Sequence, residues 1–168
     1  NPAMIDPDVQ FEALLKKIQS GAHRMDLDRI RDAYEMAKNA HEGQKRKDGS
    51  PYITHCIATA DICCDNGLDE DSIIAALLHD VIEDTEITHA EIAKKFGPQV
   101  ADIVEGVTKL TRVQYTSKED EQMENLRKML MAMSKDIRVI LIKIADRTHN
   151  MRTMAYQSPE KQRQKSLE

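Results

Sequence analysis

Residues 73–84 set the problem that the rest of the chain must solve. Residues 73–78 are apolar, and within the next turn and a half come His79, Asp80, Glu83 and Asp84. Read as one helix, positions three and four apart share a face. His79 then lies over Glu83, and Asp80 lies over both Glu83 and Asp84. An imidazole and three carboxylates crowd the end of a helix whose earlier turns belong in a core. Burying such groups is costly unless they are paired or hold a cation. A solvated helix end is the competing reading of these residues alone. Their position directly after an apolar run, with partners elsewhere in the chain, favours a site.

The partners sit on segments that also read as helices. From Asp8, the residues Phe11, Leu14, Leu15 and Ile18 recur at helical spacing until Gly21. A second helix runs from about Asp26, with Leu27, Ile30, Tyr34, Ala37 and His41 on one face, and ends near Gly43. Pro51 suits the first position of a third helix, which turns Ile53, Ile57 and Ala60 inward and stops at Asn66 and Gly67. Asp69 or Asp71 caps the helix of residues 73–84. Thr88 and Glu91 form a capping box for a short helix to Phe96. Gly97 and Pro98 divide it from the next, whose stripe is Val100, Ile103, Val104 and Val107.

Residues 108–116 show no strong period and read as a loop. Residues 117–120 open a further helix, with Met123, Leu126, Leu130 and Met133 on its buried side. Asp136 opens the last, over 137–154. Its β-branched residues also permit a strand, but its length and its i, i+4 continuation favour helix. The periodicities together predict an all-α fold. The length of 168 residues suits a single domain over residues 1–168 with a real core.

Composition narrows the partners. The net charge of −5 opposes nonspecific binding to a polyanion, and 4% aromatic residues without Trp supply few stacking platforms for nucleic acid. Cys56, Cys63 and Cys64 have neither the number nor the spacing of a disulfide framework or zinc knuckle, and read as reduced residues of a cytoplasmic protein. No apolar run approaches the roughly 20 residues of a membrane span, and no signal-peptide pattern opens the chain.

Asp146 also follows an apolar run, and Asp146, Asn150 and Thr153 share one helix face. Alone, Asp146 reads equally as the partner of a core arginine or as a metal ligand, and His55 reads as a surface or hydrogen-bonded residue. With the first stretch they compose a set of two imidazoles and two carboxylates: His55, His79, Asp80 and Asp146. Such mixed ligation suits Mn, Fe or Zn. Glu83 and Asp84 are then free to orient or deprotonate water, or to protonate a leaving group. The loop residues Lys45, Arg46 and Lys47 read alone as a solvated turn. Beside a metal site they can hold phosphate charge, and Arg46 can stack on a base. Asn150 and Thr153 can hydrogen-bond a sugar or a phosphate.

The order His55, His79-Asp80, Asp146 resembles the HD-domain metal-dependent phosphohydrolases. Four strings are similar to the N-terminal hydrolase domain of RelA/SpoT-type enzymes: HEGQKRKDGSPYITH at 41–55, AALLHDVIEDT at 75–85, VEGVTKL at 104–110, and DIRV at 136–139 leading to ADRTHNMRT at 145–153. The likeness runs from about Phe11 to Lys165. It implies an HD-domain helical bundle of about eight or more helices around a divalent metal site. It implies a hydrolase that uses Mn2+ to remove the 3′-pyrophosphate of the guanine nucleotides ppGpp and pppGpp, giving GDP or GTP and pyrophosphate. By position it assigns His55, His79, Asp80 and Asp146 to the metal, and Glu83 and Asp84 to catalysis. It assigns Arg46 with Lys45 and Lys47 to the nucleotide, in a pocket lined by Asn150 and Thr153. The family's long proteins continue into synthetase and regulatory domains, and residues 107–110 and 125–129 look like those proteins. The chain is accordingly expected to be a domain excised from one of them.

Overall fold

In a computed structural model, residues 6–111, 122–127 and 136–154 are described. Eight named helices account for most of them: α1 (Pro7–Gln19), α2 (Leu27–Ala40), α3 (Ile53–Asp65), α4 (Glu70–Leu77), α5 (Val81–Asp84), α6 (His89–Phe96), α7 (Pro98–Thr111) and α8 (Arg138–Met154). Residues 122–127 are also helical. No strand occurs among the described residues; the only extended pairing there is an isolated bridge between Lys45 and Pro51. The fold is all-α.

The helix starts follow their side-chain caps. Asp6, Asp26, Asp69 and Thr88 each accept a hydrogen bond from a backbone N–H of the first turn, satisfying donors that a helix leaves unpaired. Asp69, not Asp71, caps α4. Pro51 is not the first residue of α3. It is held in the bridge to Lys45, and α3 begins two residues later without a side-chain cap.

α3 and α4 form the centre. α3 packs against α1, α2, α4 and α8, and α4 packs against α2, α7 and α8. Ile57, Ala60, Cys63 and residues 73–78 have no exposed surface. The three cysteines are free thiols, with Cys56 and Cys63 buried among these apolar side chains.

Residues 73–84 are not one helix. α4 ends at Leu77, and α5 starts afresh at Val81. The Leu78 N–H reaches the carbonyls of Ile74 and Ala75, and the His79 N–H reaches only Ala76. The last turn thus tightens from i−4 to i−3 bonding. The His79 side chain takes the Ala76 carbonyl as well, at 2.6 Å from Nδ1. The break falls before α5: the Asp80 carbonyl accepts from the Asp84 N–H at 2.9 Å, so Asp80 and Asp84 still stand one turn apart, as on a continuous helix.

α7 continues through Thr111, so residues 108–111 are helical and not loop, with Thr108 buried. Residues 112–121, where the rest of that loop and the start of the next helix are expected, lie outside the described residues, as do Leu130 and Met133. Met123 and Leu126 are exposed, contrary to expectation. Periodicity reveals that one face of a helix is apolar but not what covers it. α8 likewise buries Val139, Ile142 and Ala145 while Leu141, Ile144 and Met151 remain exposed.

Candidate metal centre

α3, the α4–α5 break and α8 converge on one point. His55, His79, Asp80 and Asp146 each offer a ligand atom there, all within 4.8 Å of one another. His55 comes from the first turn of α3, Asp146 from the middle of α8, and the His79-Asp80 pair from the break. His55 and His79 are only 2% and 1% exposed. His55 Nε2 lies 2.6 Å from Asp146 Oδ1, and His79 Nε2 lies 2.8 Å from Asp80 Oδ2 and 3.4 Å from Asp146 Oδ1.

The tautomer of His79 follows from its neighbour. The Ala76 carbonyl can only accept, so Nδ1 carries the hydrogen and donates it. Nε2 is turned toward the two carboxylates. It is buried, and although close to Asp80 it has no directed hydrogen-bond partner. A buried imidazole nitrogen without such a partner, aimed between two carboxylates, is what a cation site requires. The nitrogen and oxygen donor set fits a divalent metal ion.

The electrostatics agree with that geometry. Burial pushes the Asp146 carboxyl upward, but the close imidazoles of His55 and His79, with the charges of His79 and Lys143, hold it far below the usual range. Asp80 is brought down to about 2, burial being outweighed by His79 and by the hydroxyl of Tyr52. Burial alone would depress His79, yet Asp80 and Asp146 raise it well above the ordinary histidine value. These carboxylates are poised to stay ionised, as metal ligands must.

Supporting groups surround the cluster. Tyr52 donates its hydroxyl to Asp80 Oδ2 at 2.5 Å. Lys143 donates to Asp146 Oδ2 and to Thr111 Oγ1, each at 3.0 Å, linking α8 to the end of α7. His149 Nδ1 lies 2.7 Å from His55 Nδ1, with the two ring planes 29° from parallel. None of these three was singled out in the sequence. Lys143 and His149 lie three residues to either side of Asp146, a helical spacing that marks them as its neighbours; Tyr52 has no comparable signal.

Loop residues 44–52 fold over the same site. The Arg46 N–H and carbonyl pair with Ser50 and Gly49, and the Tyr52 N–H closes on Gln44. Gly49 takes the left-handed backbone that this turn requires (φ 87°). Arg46 is thereby aimed at α8, where its guanidinium donates to His149 Nδ1 (3.1 Å), Asn150 Oδ1 (3.0 Å) and Thr153 Oγ1 (3.4 Å). Lys45 and Lys47 point to the exposed side of the turn. Glu83 and Asp84 are exposed on α5, one turn beyond Asp80 and outside the four-residue cluster. Burial, then Asp80 and Glu83, raise the Asp84 carboxyl above its ordinary value.

The sequence matches the HD domain family over residues 33–168. It is 52% identical over 153 residues to the bifunctional (p)ppGpp synthase/hydrolase SpoT of Escherichia coli (strain K12), a match covering 91% of this chain and 22% of that protein. It is 51% identical over 140 residues to a GTP pyrophosphokinase of Myxococcus xanthus, covering 82% of this chain and 18% of that protein. The chain thus spans about a fifth of the length of these relatives. A solved structure, described as a metazoan ortholog of SpoT that hydrolyzes ppGpp, superposes with a TM-score of 0.65 at 25% identity, covering 88% of this chain and 83% of that one.

Proposed function

The chain belongs to the HD domain family, and from that premise we propose that it is a metal-dependent phosphohydrolase acting on guanosine 3′,5′-bis(diphosphate) and its 5′-triphosphate counterpart. The products are GDP or GTP and pyrophosphate. The carrying observation is the convergence of His55, His79, Asp80 and Asp146 beside a guanidinium held by Asn150 and Thr153. The names of the relatives supply the nucleotide: the SpoT enzyme is a (p)ppGpp synthase/hydrolase, and the metazoan ortholog hydrolyzes ppGpp.

His55, His79, Asp80 and Asp146 hold the ion, and the ion we propose is Mn2+. The chemistry such an ion supplies when bound is Lewis acidity, which polarises a phosphoryl oxygen and acidifies water. The rest falls to the chain. Water adds to the phosphorus attached to the ribose 3′ oxygen, and the bond from that phosphorus to O3′ breaks. Glu83 takes the proton from water. Asp84, its carboxyl raised by burial and by Asp80, returns a proton to O3′. Arg46 turns from Asn150 and Thr153 to the guanine nucleotide. Those two residues then face its sugar or phosphates, and Lys45 and Lys47 meet the outer phosphate charge. Among the described residues no helix is long and apolar enough to cross a membrane.

The test is to load the purified protein with Mn2+, add guanosine 3′,5′-bis(diphosphate) and measure pyrophosphate. Release is expected. No release from metal-loaded protein overturns the reading, and binding without turnover would make the chain a nucleotide sensor. Faster turnover of a deoxynucleoside triphosphate or a cyclic nucleotide in a parallel panel would replace the substrate.

A further inference from the structure

Arg46 determines where the hydrogens lie in a chain of ring nitrogens. A guanidinium has only donors, so its contact with His149 Nδ1 at 3.1 Å makes that nitrogen an acceptor. The same nitrogen is 2.7 Å from His55 Nδ1. An acceptor there can pair only with a donor, so His55 Nδ1 carries a hydrogen. In neutral His55 the remaining lone pair is then on Nε2, which faces Asp146 Oδ1 at 2.6 Å within the four-residue cluster. Two acceptors at that distance repel unless a proton or a metal cation lies against both. Arg46 and His149 thus turn His55 into a ligand by fixing which of its nitrogens is bare.

We infer that His149 is a positioning residue that sets the tautomer and ring orientation of His55, with Arg46 holding His149 as the acceptor. The inference rests on the metal reading above and deepens it. A metal-bound histidine usually donates its second N–H to a carboxylate, a carbonyl or water. His79 follows that habit through the Ala76 carbonyl. His55 uses another imidazole, and that imidazole is shared with the arginine proposed to meet the nucleotide. The two ring centroids lie 4.9 Å apart with planes 29° from parallel, which lets the nitrogens meet edge to edge.

Two variants and one spectrum test this. His149→Phe keeps an aromatic ring beside His55 and removes the acceptor. His149→Asn restores an acceptor oxygen close to the place of Nδ1. Calorimetric titration of nucleotide-free protein with Mn2+ should show about ten- to hundredfold weaker binding for His149→Phe, most of it recovered in His149→Asn. Equal affinity for His149→Phe and the parent overturns the inference, as does an Asn variant no better than Phe. Nitrogen-15 spectra of the metal-free parent should show a hydrogen on His55 Nδ1. A bare Nδ1 overturns the inference without any variant having to fold. If the parent itself fails to bind Mn2+, the metal reading falls, and the spectrum still decides the hydrogen-bond chain by itself.

Discussion

Arg46 Nη2 donates to Asn150 Oδ1 at 3.0 Å, joining the loop before α3 to the far part of α8 across 104 residues of sequence. The same guanidinium reaches Thr153. A charged hydrogen bond contributes about 1.5–3 kcal/mol, so losing the one that Arg46 makes to the nucleotide weakens binding by about ten- to hundredfold. Arg46→Ala is therefore expected to raise KM for the guanine nucleotide by that factor, with a smaller fall in kcat. Steady-state kinetics at saturating Mn2+ checks this. A fall in kcat at constant KM would place Arg46 in the chemical step and not in binding.

Asp146 contacts both imidazoles of the cluster. Asp146→Asn keeps the shape and removes the charge, and Asp80→Ala removes a donor outright. Both are expected to abolish detectable Mn2+ binding. In the parent, metal at a hundred times its dissociation constant adds about 2.7 kcal/mol to folding stability. A chelator should therefore lower the parent's Tm by several degrees and leave that of Asp146→Asn unmoved. A parent melting curve indifferent to chelator would remove the ion from the fold's support.

Glu83 lies exposed on α5, outside the four-residue cluster. Glu83→Ala is expected to bind Mn2+ like the parent and to lose turnover by about 10²- to 10⁴-fold, the usual contribution of a placed general base. Paired measurements of metal binding and pyrophosphate release separate the two effects. Full activity in this variant would transfer the proton to another group, with Asp84 the neighbour to examine next.

The helices of the core were legible because burial writes a period into sequence. Phe11, Leu14, Leu15 and Ile18 are all buried, as the spacing requires, and so are Val100, Ile103, Val104 and Val107. That His79, Asp80 and Asp146 need partners was legible for a related reason: acids and imidazoles after apolar runs must meet something, whereas His55, which follows no apolar run, reads alone as a surface residue. The break at residues 78–80 was not legible. It depends on the His79 side chain capturing the Ala76 carbonyl, a choice that no propensity encodes. Pro51 misled because its fixed φ suits a helix start and an extended bridge equally. Tyr52 could not be found, since a tyrosine before a helix carries no mark of the carboxylate it meets, on a segment distant in sequence.

Gly106 lies where α7 crosses α8. A Cβ there would stand 2.7 Å from Val139 Cγ2. Alanine normally improves a helix interior by about 1 kcal/mol over glycine. Here the neighbour is a β-branched side chain with little rotamer freedom, and overpacking typically costs about 1–3 kcal/mol. Gly106→Ala is expected to destabilise the fold, and adding Val139→Ala should recover part of the loss. Urea midpoints of the single and double variants check this. A more stable Gly106→Ala protein would mean that the helices separate freely at the crossing.

Arg138 ties the start of α8 to the cap of α4. Its guanidinium donates to Asp69 Oδ2 at 2.7 Å and to both carboxylate oxygens of Asp136. Hydrogen bonds from Arg138 hold the Asp136 carboxyl below its ordinary value. Asp69 is also lowered, its burial outweighed by hydrogen bonds from Ser72 and by Arg138. A carboxylate whose folded pKa lies below its unfolded value, about 3.9 for Asp, adds stability that is fully present above that pH. The contribution is lost as pH falls through the folded pKa. Urea midpoints should therefore be flat with respect to these groups near neutrality and fall steeply below about pH 4. Arg138→Gln should lower the neutral midpoint and make the acid decline shallower, because the carboxylates then have less to lose on protonation. If the parent and Arg138→Gln decline in parallel from pH 6 to pH 3, Arg138 does not couple this junction to protonation.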